Sequence, residues 1–243
     1  MHTTNTFASH ALFSESTERE EMNKAAWDRL YAATDELVWG EDSLPFVAKS
    51  LAWLADEGLL PRSAKILDAA SGEGRNLPAL LAVSSSVTAC DASAAALNKL
   101  SKRFGNQIET VECDLARMPF QSFGFDLMLA CDIMETLPNL VEVLTEMRRV
   151  LRPGGVLIAN VPDFDDGISG EAMQPLPSGE FLYQGNYFFR FQKESEFVEI
   201  MTQCGWNLIS SVSETWIEGP HPGYRDGVHS HTSRVIIAQH RID

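Results

Sequence analysis

Positive charge is what this chain has least of. Against 34 Asp and Glu stand only 19 Lys and Arg, a formal net charge of −15 over 243 residues. A surface of that sign repels nucleic acid and anionic membranes overall and leaves room only for a local basic patch. Long apolar runs are missing too, since none approaches the roughly 20 residues that a bilayer-spanning helix needs. Cysteine is sparse: four residues, with no CxxC pair. That argues against a disulfide framework or a Cys-based zinc site and for a reducing, cytoplasmic setting. The opening MHTTNTFASHALFSESTEREE lacks a basic-then-apolar leader pattern, so residues 1–20 read as a polar, mobile arm. No repeat or low-complexity block is visible. The length suits one large α/β domain over 21–243, with a helical cap over 21–60.

What is present begins at residues 64–76, AKILDAASGEGRN. Ile66 and Leu67 are buried-strand residues, Asp68 closes the strand, and Ser71-Gly72-Glu73-Gly74 forms a turn. Glycine there lets the backbone take unusual φ and lie close to a ligand. From Arg75 the chain reads as helix, with Leu77, Leu80 and Leu81 at helical spacing. A second strand over 86–90 ends in Asp91, about twenty residues beyond the turn, where an acid accepts hydrogen bonds from ribose hydroxyls. Further strands over 110–113 and 125–131 end at Asp114 and Asp132. A fifth, over 155–161, follows a helix and Arg152-Pro153-Gly154. In an open α/β sheet such carboxyl ends border the ligand crevice. Periodicity also predicts helices over 21–34, 44–55 and 139–151, and one around Phe197 to Cys204 stopped by Gly205. Strands over 206–216 and 231–239 follow, joined by EGPHPGYRDGVHS.

The segments LDAASGEGRN, CDAS, CDLARMPF, FDLMLACDIMETLP and EMRRVLRPGGVLIANVP, in this order and spacing, resemble the class I S-adenosylmethionine-dependent methyltransferases. The likeness is close over residues 63–162, and strongest to small-molecule enzymes of the tellurite-resistance and ubiquinone-pathway types. It implies a Rossmann-like, doubly wound sheet of seven strands in the order 3-2-1-4-5-7-6, one of them antiparallel. It also implies S-adenosyl-L-methionine as cofactor and a small-molecule acceptor, while the net charge and the missing apolar runs argue against nucleic acid and membrane as partners. By this resemblance the loop Ala70 to Gly74 lies against the methionine and ribose, and side chains at Gly72 and Gly74 would collide. Asp68 belongs to the same strand end. Asp91, with Ala92 beside it, receives the ribose hydroxyls. Asp114 accepts from the adenine amino group while the Leu115 backbone pairs with the ring. Cys131 and Asp132 face the methionine end. One departure stands out: where many relatives carry histidine in a D-V-L-E-H-L-like stretch, this chain has Asp132-Ile133-Met134-Glu135-Thr136-Leu137. A base at that position is not available here.

Each acid also has a plainer reading as a strand-end or helix-capping residue. Asp126 opens a strand rather than closing one and reads as structural. Cys90, Cys113 and Cys131 read as small buried hydrophobes. Two regions are candidates to cover the cleft. Trp27, Tyr31 and Trp39-Gly40 resemble the W-x-x-x-Y…W-G entry segment of the tellurite-type group, though helix packing explains them as well. The insertion over 163–191 is lid-like, polar at first and then aromatic at Phe181, Tyr183, Tyr187, Phe188, Phe189 and Phe191. Such a wall suits an apolar or aromatic acceptor, unless the stripe is simply core. His221, His229 and His231 cluster near the last strand, and His229 and His231 share one side of it. A metal needs three or four convergent ligands; no fixed carboxylate partner is evident, and no metal is assigned. Tyr31, Trp39, Tyr187, His229 and His231 are therefore the candidate substrate contacts.

Methyl transfer from a sulfonium needs alignment and water exclusion, and a base only when the nucleophile arrives protonated. The missing catalytic triad is no objection. A non-catalytic cofactor-binding or regulatory protein of the same fold is the main alternative. A nicotinamide-dependent oxidoreductase is weaker, because Leu77 stands where the third glycine of G-x-G-x-x-G belongs.

Overall fold

The computed structural model describes residues 6–169 and 172–242, with side chains from residue 18 onward. Its strands are β1 (Lys65–Ala69), β2 (Ser86–Asp91), β3 (Glu109–Glu112), β4 (Phe125–Ala130), β5 (Leu151–Pro162), β6 (Met173–Pro175), β7 (Phe181–Tyr183), β8 (Tyr187–Phe189), β9 (Trp206–Glu218) and β10 (His229–His240). The helices are α1 (Thr6–Ala32), α2 (Pro45–Asp56), α3 (Leu77–Leu81), α4 (Ala94–Phe104), α5 (Leu140–Val150) and α6 (Glu194–Gln203).

Seven strands form one sheet in the order β3-β2-β1-β4-β5-β10-β9. Counted within that sheet, β9 and β10 are its sixth and seventh members, so the order is the one the resemblance implied. β10 alone runs antiparallel, against both β5 and β9. Central strands covered on both faces read as nearly continuous apolar runs, and β1 and β4 are buried almost throughout. Alternate residues feed opposite layers. Leu67, Met128 and Leu157 pack with Leu144, Met147 and Phe197 of α5 and α6. Ile66, Leu129 and Ile158 pack with Phe46, Leu80 and Leu100 of α2, α3 and α4. The face of α5 is set by Leu140, Val143, Leu144, Met147 and Val150, all buried. Full burial of such side chains contributes about 1.5–3 kcal/mol each before conformational entropy is charged against it.

Three elements depart from the sequence reading. The first helix, expected from Glu21, begins at Thr6, so most of the span read as a mobile arm is helical; residues 1–5 lie outside the described residues. No glycine or proline occurs before Gly40, and good helix formers such as Glu, Arg, Met and Ala allow the helix to continue backward. The helix after the glycine turn is short, Leu77–Leu81, with Pro78 in its first turn, where a missing N–H costs least. β5 starts at Leu151 rather than Gly155. Leu151 pairs with Phe125 and Val156 with Leu127, so the intervening residues bulge out of the ladder.

The insertion folds into a second antiparallel sheet, β6-β7-β8. Its Tyr183, Tyr187 and Phe189 join Ala26, Leu30 and Tyr31 of α1 in one cluster. The side chain of Asn23 ties this layer down: Nδ2 donates to Thr136 O at 2.8 Å and Oδ1 accepts from Phe188 N at 3.1 Å. Among the described residues no helix is long and apolar enough to cross a membrane, and all four cysteines are free.

Candidate functional site

Strand order reverses between β1 and β4, and a crevice opens outside their carboxyl ends, as expected of a doubly wound sheet. It holds a cavity of about 420 Å³. Ala70 to Gly72, Asp91 to Ser93, Asp114 with Leu115, and Cys131 to Ile133 line it, each set following a different strand. Trp27, Tyr31 and Trp39 line it as well, with Tyr224 packed against both tryptophans, and so do Ile168, Phe189 and His231.

The strand ends are bent to make this lining. Ala70, Gly72 and Asp132 all have positive φ, 57°, 53° and 52°. For the two non-glycine residues that conformation is strained, and it persists only where neighbours impose it. At Asp132 the cause is visible: its N–H donates to Asn160 Oδ1 at 2.9 Å, and Asn160 Nδ2 donates back to Asp132 Oδ1 at 2.7 Å. A Cβ on Gly72 would stand 2.7 Å from Tyr31 Oη, so the loop closely approaches the N-terminal wall. Asp91 joins two loops, accepting from Gly72 N through Oδ2 and from Ser93 N through Oδ1, both at 2.8 Å. The Ala92 backbone also hydrogen-bonds this carboxylate, so of the about four lone-pair positions of an ionised carboxylate one stays available to a ligand. Asp114 similarly spends one position on Ala116 N at 2.8 Å.

Burial dominates the electrostatics. It pushes the Asp68 carboxyl up to about 8, with the Asp91 charge adding to the effect. Asp91 and Asp132 are raised as well, chiefly by burial, while hydrogen bonds to each work in the opposite direction. Glu135 is raised well above the carboxylate range by burial and then by Asp132. Four buried polar atoms at or beside the cavity have no hydrogen-bond partner among the described residues: Trp27 Nε1, Asp68 Oδ2, Ser71 Oγ and Glu135 Oε2. Native interiors seldom leave such groups unpaired, and in a cleft they are natural anchors for a polar ligand.

Of the predicted residues, Ala70, Gly72, Asp91, Ala92, Asp114, Leu115, Cys131, Asp132, Tyr31, Trp39 and His231 line the cavity. Four others do not. Asp68 is buried behind the lining, 3% exposed. Gly74 is small for packing: a Cβ would meet Leu77 at 2.7 Å and Phe104 at 3.1 Å. Tyr187 supports the wall, its ring 4.6 Å from that of Trp27. His229 lies within the β9–β10 hairpin, its Nε2 against that of His221 at 3.1 Å. Asp126 is at the amino end of β4, accepting from Lys65 N at 2.8 Å and from the Arg152 guanidinium.

Sequence reasoning passed over three contributors. Glu73, 1% exposed, accepts from Val38 N at 2.8 Å and pairs with Lys99 at 2.7 Å, fastening the segment before α2 to α4. As the variable residue of a Gly-x-Gly turn it gave no signal. Asn160 did give one, a lone amide inside the apolar run VLIANVP, which must be hydrogen-bonded to be tolerated. Glu218 was hidden because its charge partner Arg75, at 2.9 Å, comes from a distant segment; Trp216 Nε1 at 2.8 Å and His221 at 3.0 Å are its near neighbours in the chain. Burial opposes its ionisation, yet the His221 hydrogen bond and the Arg75 charge hold it well below the usual range. The fixed carboxylate missing from the sequence reading of the histidine group is therefore present.

Residues 67–159 match the family described as "Methyltransferase domain". A demethylmenaquinone methyltransferase of Paenarthrobacter aurescens is 37% identical over 164 residues, 60% of this chain and 63% of that one. An uncharacterized chloroplastic methyltransferase of Arabidopsis thaliana is 32% identical over 112 residues, 45% of this chain and 31% of that one. The chain thus spans less than two thirds of the length of either relative. A solved structure of Burkholderia thailandensis 1,6-didemethyltoxoflavin-N1-methyltransferase, with its substrate and S-adenosylhomocysteine bound, superposes with a TM-score of 0.68 at 20% identity, covering 93% of this chain and 91% of that one. At that identity it shows the shared fold.

Proposed function

Because the chain belongs, through its sheet-forming domain, to the class I S-adenosylmethionine-dependent methyltransferase superfamily, we propose that it transfers a methyl group from S-adenosylmethionine to a planar, apolar small molecule by in-line displacement. The observation that carries this reading is the cavity itself, lined by strand-end acids and by aromatic rings. The residues present fit the donor. Asp91 keeps acceptor capacity for a ribose hydroxyl after serving Gly72, Ala92 and Ser93. Asp114 and the Leu115 backbone, both lining the cavity, suit an adenine edge. The positive-φ loop from Ala70 to Gly72 leaves room for the methionine portion, and the unpartnered Ser71 Oγ and Asp68 Oδ2 supply hydrogen-bonding capacity beside it.

When bound, the sulfonium supplies an electrophilic methyl group whose thioether leaving group needs no proton. The protein's part is then to orient and to dry the site. Trp39 Nε1 donates to Tyr31 Oη at 2.8 Å, holding two rings of the wall together. Trp27 packs on Tyr187 and Tyr224 at 4.6 and 5.5 Å between ring centres. Ile168, Phe189 and Tyr224 in the lining favour a flat, apolar acceptor. The acceptors printed in the names of the two characterised relatives are consistent with that choice. An acidic chain with four free cysteines also suits a reducing, cytoplasmic compartment.

Thermal shift with S-adenosylmethionine, S-adenosylhomocysteine and NADH, followed by labelled-methyl turnover on a panel of planar aromatic acceptors, tests the proposal. Stabilisation by the first two ligands and label in product are expected. Stabilisation by NADH alone would point to the oxidoreductase, and cofactor binding with no turnover on any acceptor would point to the regulatory alternative.

A further inference from the structure

We propose that Glu218, His221, His229 and His231 form a mononuclear site for a divalent transition metal of the zinc class. One potential ligand atom from each of the four lies within 4.8 Å of the others. The hairpin builds the set. Antiparallel register places His229 directly opposite Glu218 and His231 opposite Trp216, and the bridge between His221 and Arg225 folds the connection back toward them.

Hydrogen bonds fix which nitrogens are offered. His221 Nδ1 lies 3.1 Å from Val38 O, and His229 Nδ1 lies 3.0 Å from Gly227 O. A carbonyl only accepts, so each Nδ1 carries a proton, and in the neutral ring each Nε2 carries a lone pair. Yet those two Nε2 atoms face each other at 3.1 Å, and Glu218 Oε2 approaches His221 Nε2 at 3.0 Å. With both rings neutral, these three electron-rich atoms need a cation among them, either a metal ion or a proton on one Nε2 that turns its ring into an imidazolium. A tetrahedral zinc ion with bonds near 2.0–2.1 Å spaces its ligands about 3.3 Å apart, close to the two shortest separations here.

The surroundings match those of a ligand set. His231 Nδ1 faces Asp166 Oδ2 at 3.3 Å, leaving its Nε2 to be offered, and carboxylate partners of this kind orient metal-bound imidazoles. Asp166 is fixed in turn by Thr232 N at 2.7 Å and Ile168 N at 2.9 Å. On Glu218, Trp216 Nε1 and Arg75 Nη2 bind Oε1, while Oε2 faces the imidazoles, with Arg75 Nη1 3.4 Å away. Three imidazoles and one carboxylate suit zinc, cobalt or nickel rather than magnesium or calcium, which prefer all-oxygen sets. His231 belongs to the cavity lining, so the ion would border the cleft.

The test uses the untagged full chain, stripped with a chelator and titrated with Co(II). The expected result is a 1:1 complex with the intense visible absorption of tetrahedral Co(II), bleached by one equivalent of Zn(II). His229→Ala and Glu218→Gln, shown to be folded by circular dichroism, should weaken binding at least about 10-fold. Pale, octahedral Co(II) in the wild-type chain, indifferent to Zn(II), would overturn the site and identify the cation as a proton shared between His221 and His229. Retention of full affinity in folded His229→Ala would overturn the assignment of ligands. Neither readout depends on methyl transfer.

Discussion

Asp91→Ala is the sharpest probe of the cleft, because one carboxylate is asked to hold two loops and a ligand together. The substitution removes the acceptor from Gly72 N and Ser93 N, each bonded at 2.8 Å. A hydrogen bond to a charged acceptor contributes about 1.5–3 kcal/mol. Losing the equivalent of one such bond to the ribose weakens binding about 10- to 150-fold. The fold pays less than two lost bonds would suggest, because burial already disfavours the Asp91 charge. A stability loss of about 1–3 kcal/mol is expected, small enough to leave the protein folded at room temperature. The assay is titration calorimetry with S-adenosylhomocysteine, which binds without turning over, on protein shown by circular dichroism to be folded. Asp91→Asn is the control. It keeps the shape but turns one acceptor into a donor facing a backbone N–H, and should lose affinity as well. A dissociation constant within two-fold of wild type in folded Asp91→Ala would refute the placement of the ribose at this residue.

Gly72→Val should abolish S-adenosylhomocysteine binding and methyl transfer, since a side chain at φ 53° costs about 1–2 kcal/mol in backbone strain and its Cβ would stand 2.7 Å from Tyr31 Oη; full turnover would show that the loop is not part of the site. Asp68 gives a pH dependence of stated sign. Its folded-state carboxyl is raised to about 8 from an unfolded value near 3.9, so its contribution is complete below about pH 4 and is lost as pH rises through 8. Wild-type stability should therefore fall relative to Asp68→Asn across that window, by up to about 5 kcal/mol. Parallel urea midpoints for the two proteins at pH 5 and pH 8.5 would contradict it.

The sheet and most of its cleft were legible in the chain because their determinants are local. The apolar pair Ile66-Leu67, an acid and a glycine turn are contiguous in residues 64–76, and the sterics of a strand entering a helix act on neighbours. Ala70, Gly72, Asp91, Ala92, Asp114, Leu115, Cys131 and Asp132 reach the cavity for that reason. The N-terminal helix was read too short because propensity without a strong apolar stripe sets no clear boundary, and tertiary contacts such as Asn23 with Thr136 and Phe188 anchor its later turns.

Other features depend on residues distant in the chain. Glu73 matters through Val38 and Lys99, 35 and 26 positions away, and no spacing rule connects them. Gly74 and Tyr187 have the right residue types for a ligand site, but the packing of Leu77, Phe104 and Trp27 gives them other work. Sequence alone determined where the backbone must turn and which side chains must be buried, since both follow from each residue and its immediate neighbours. Tertiary structure alone decided that Glu218 meets three histidines and that Asp166 backs one of them. Hairpin register and chain crossing set those distances, and neither is written in any single segment.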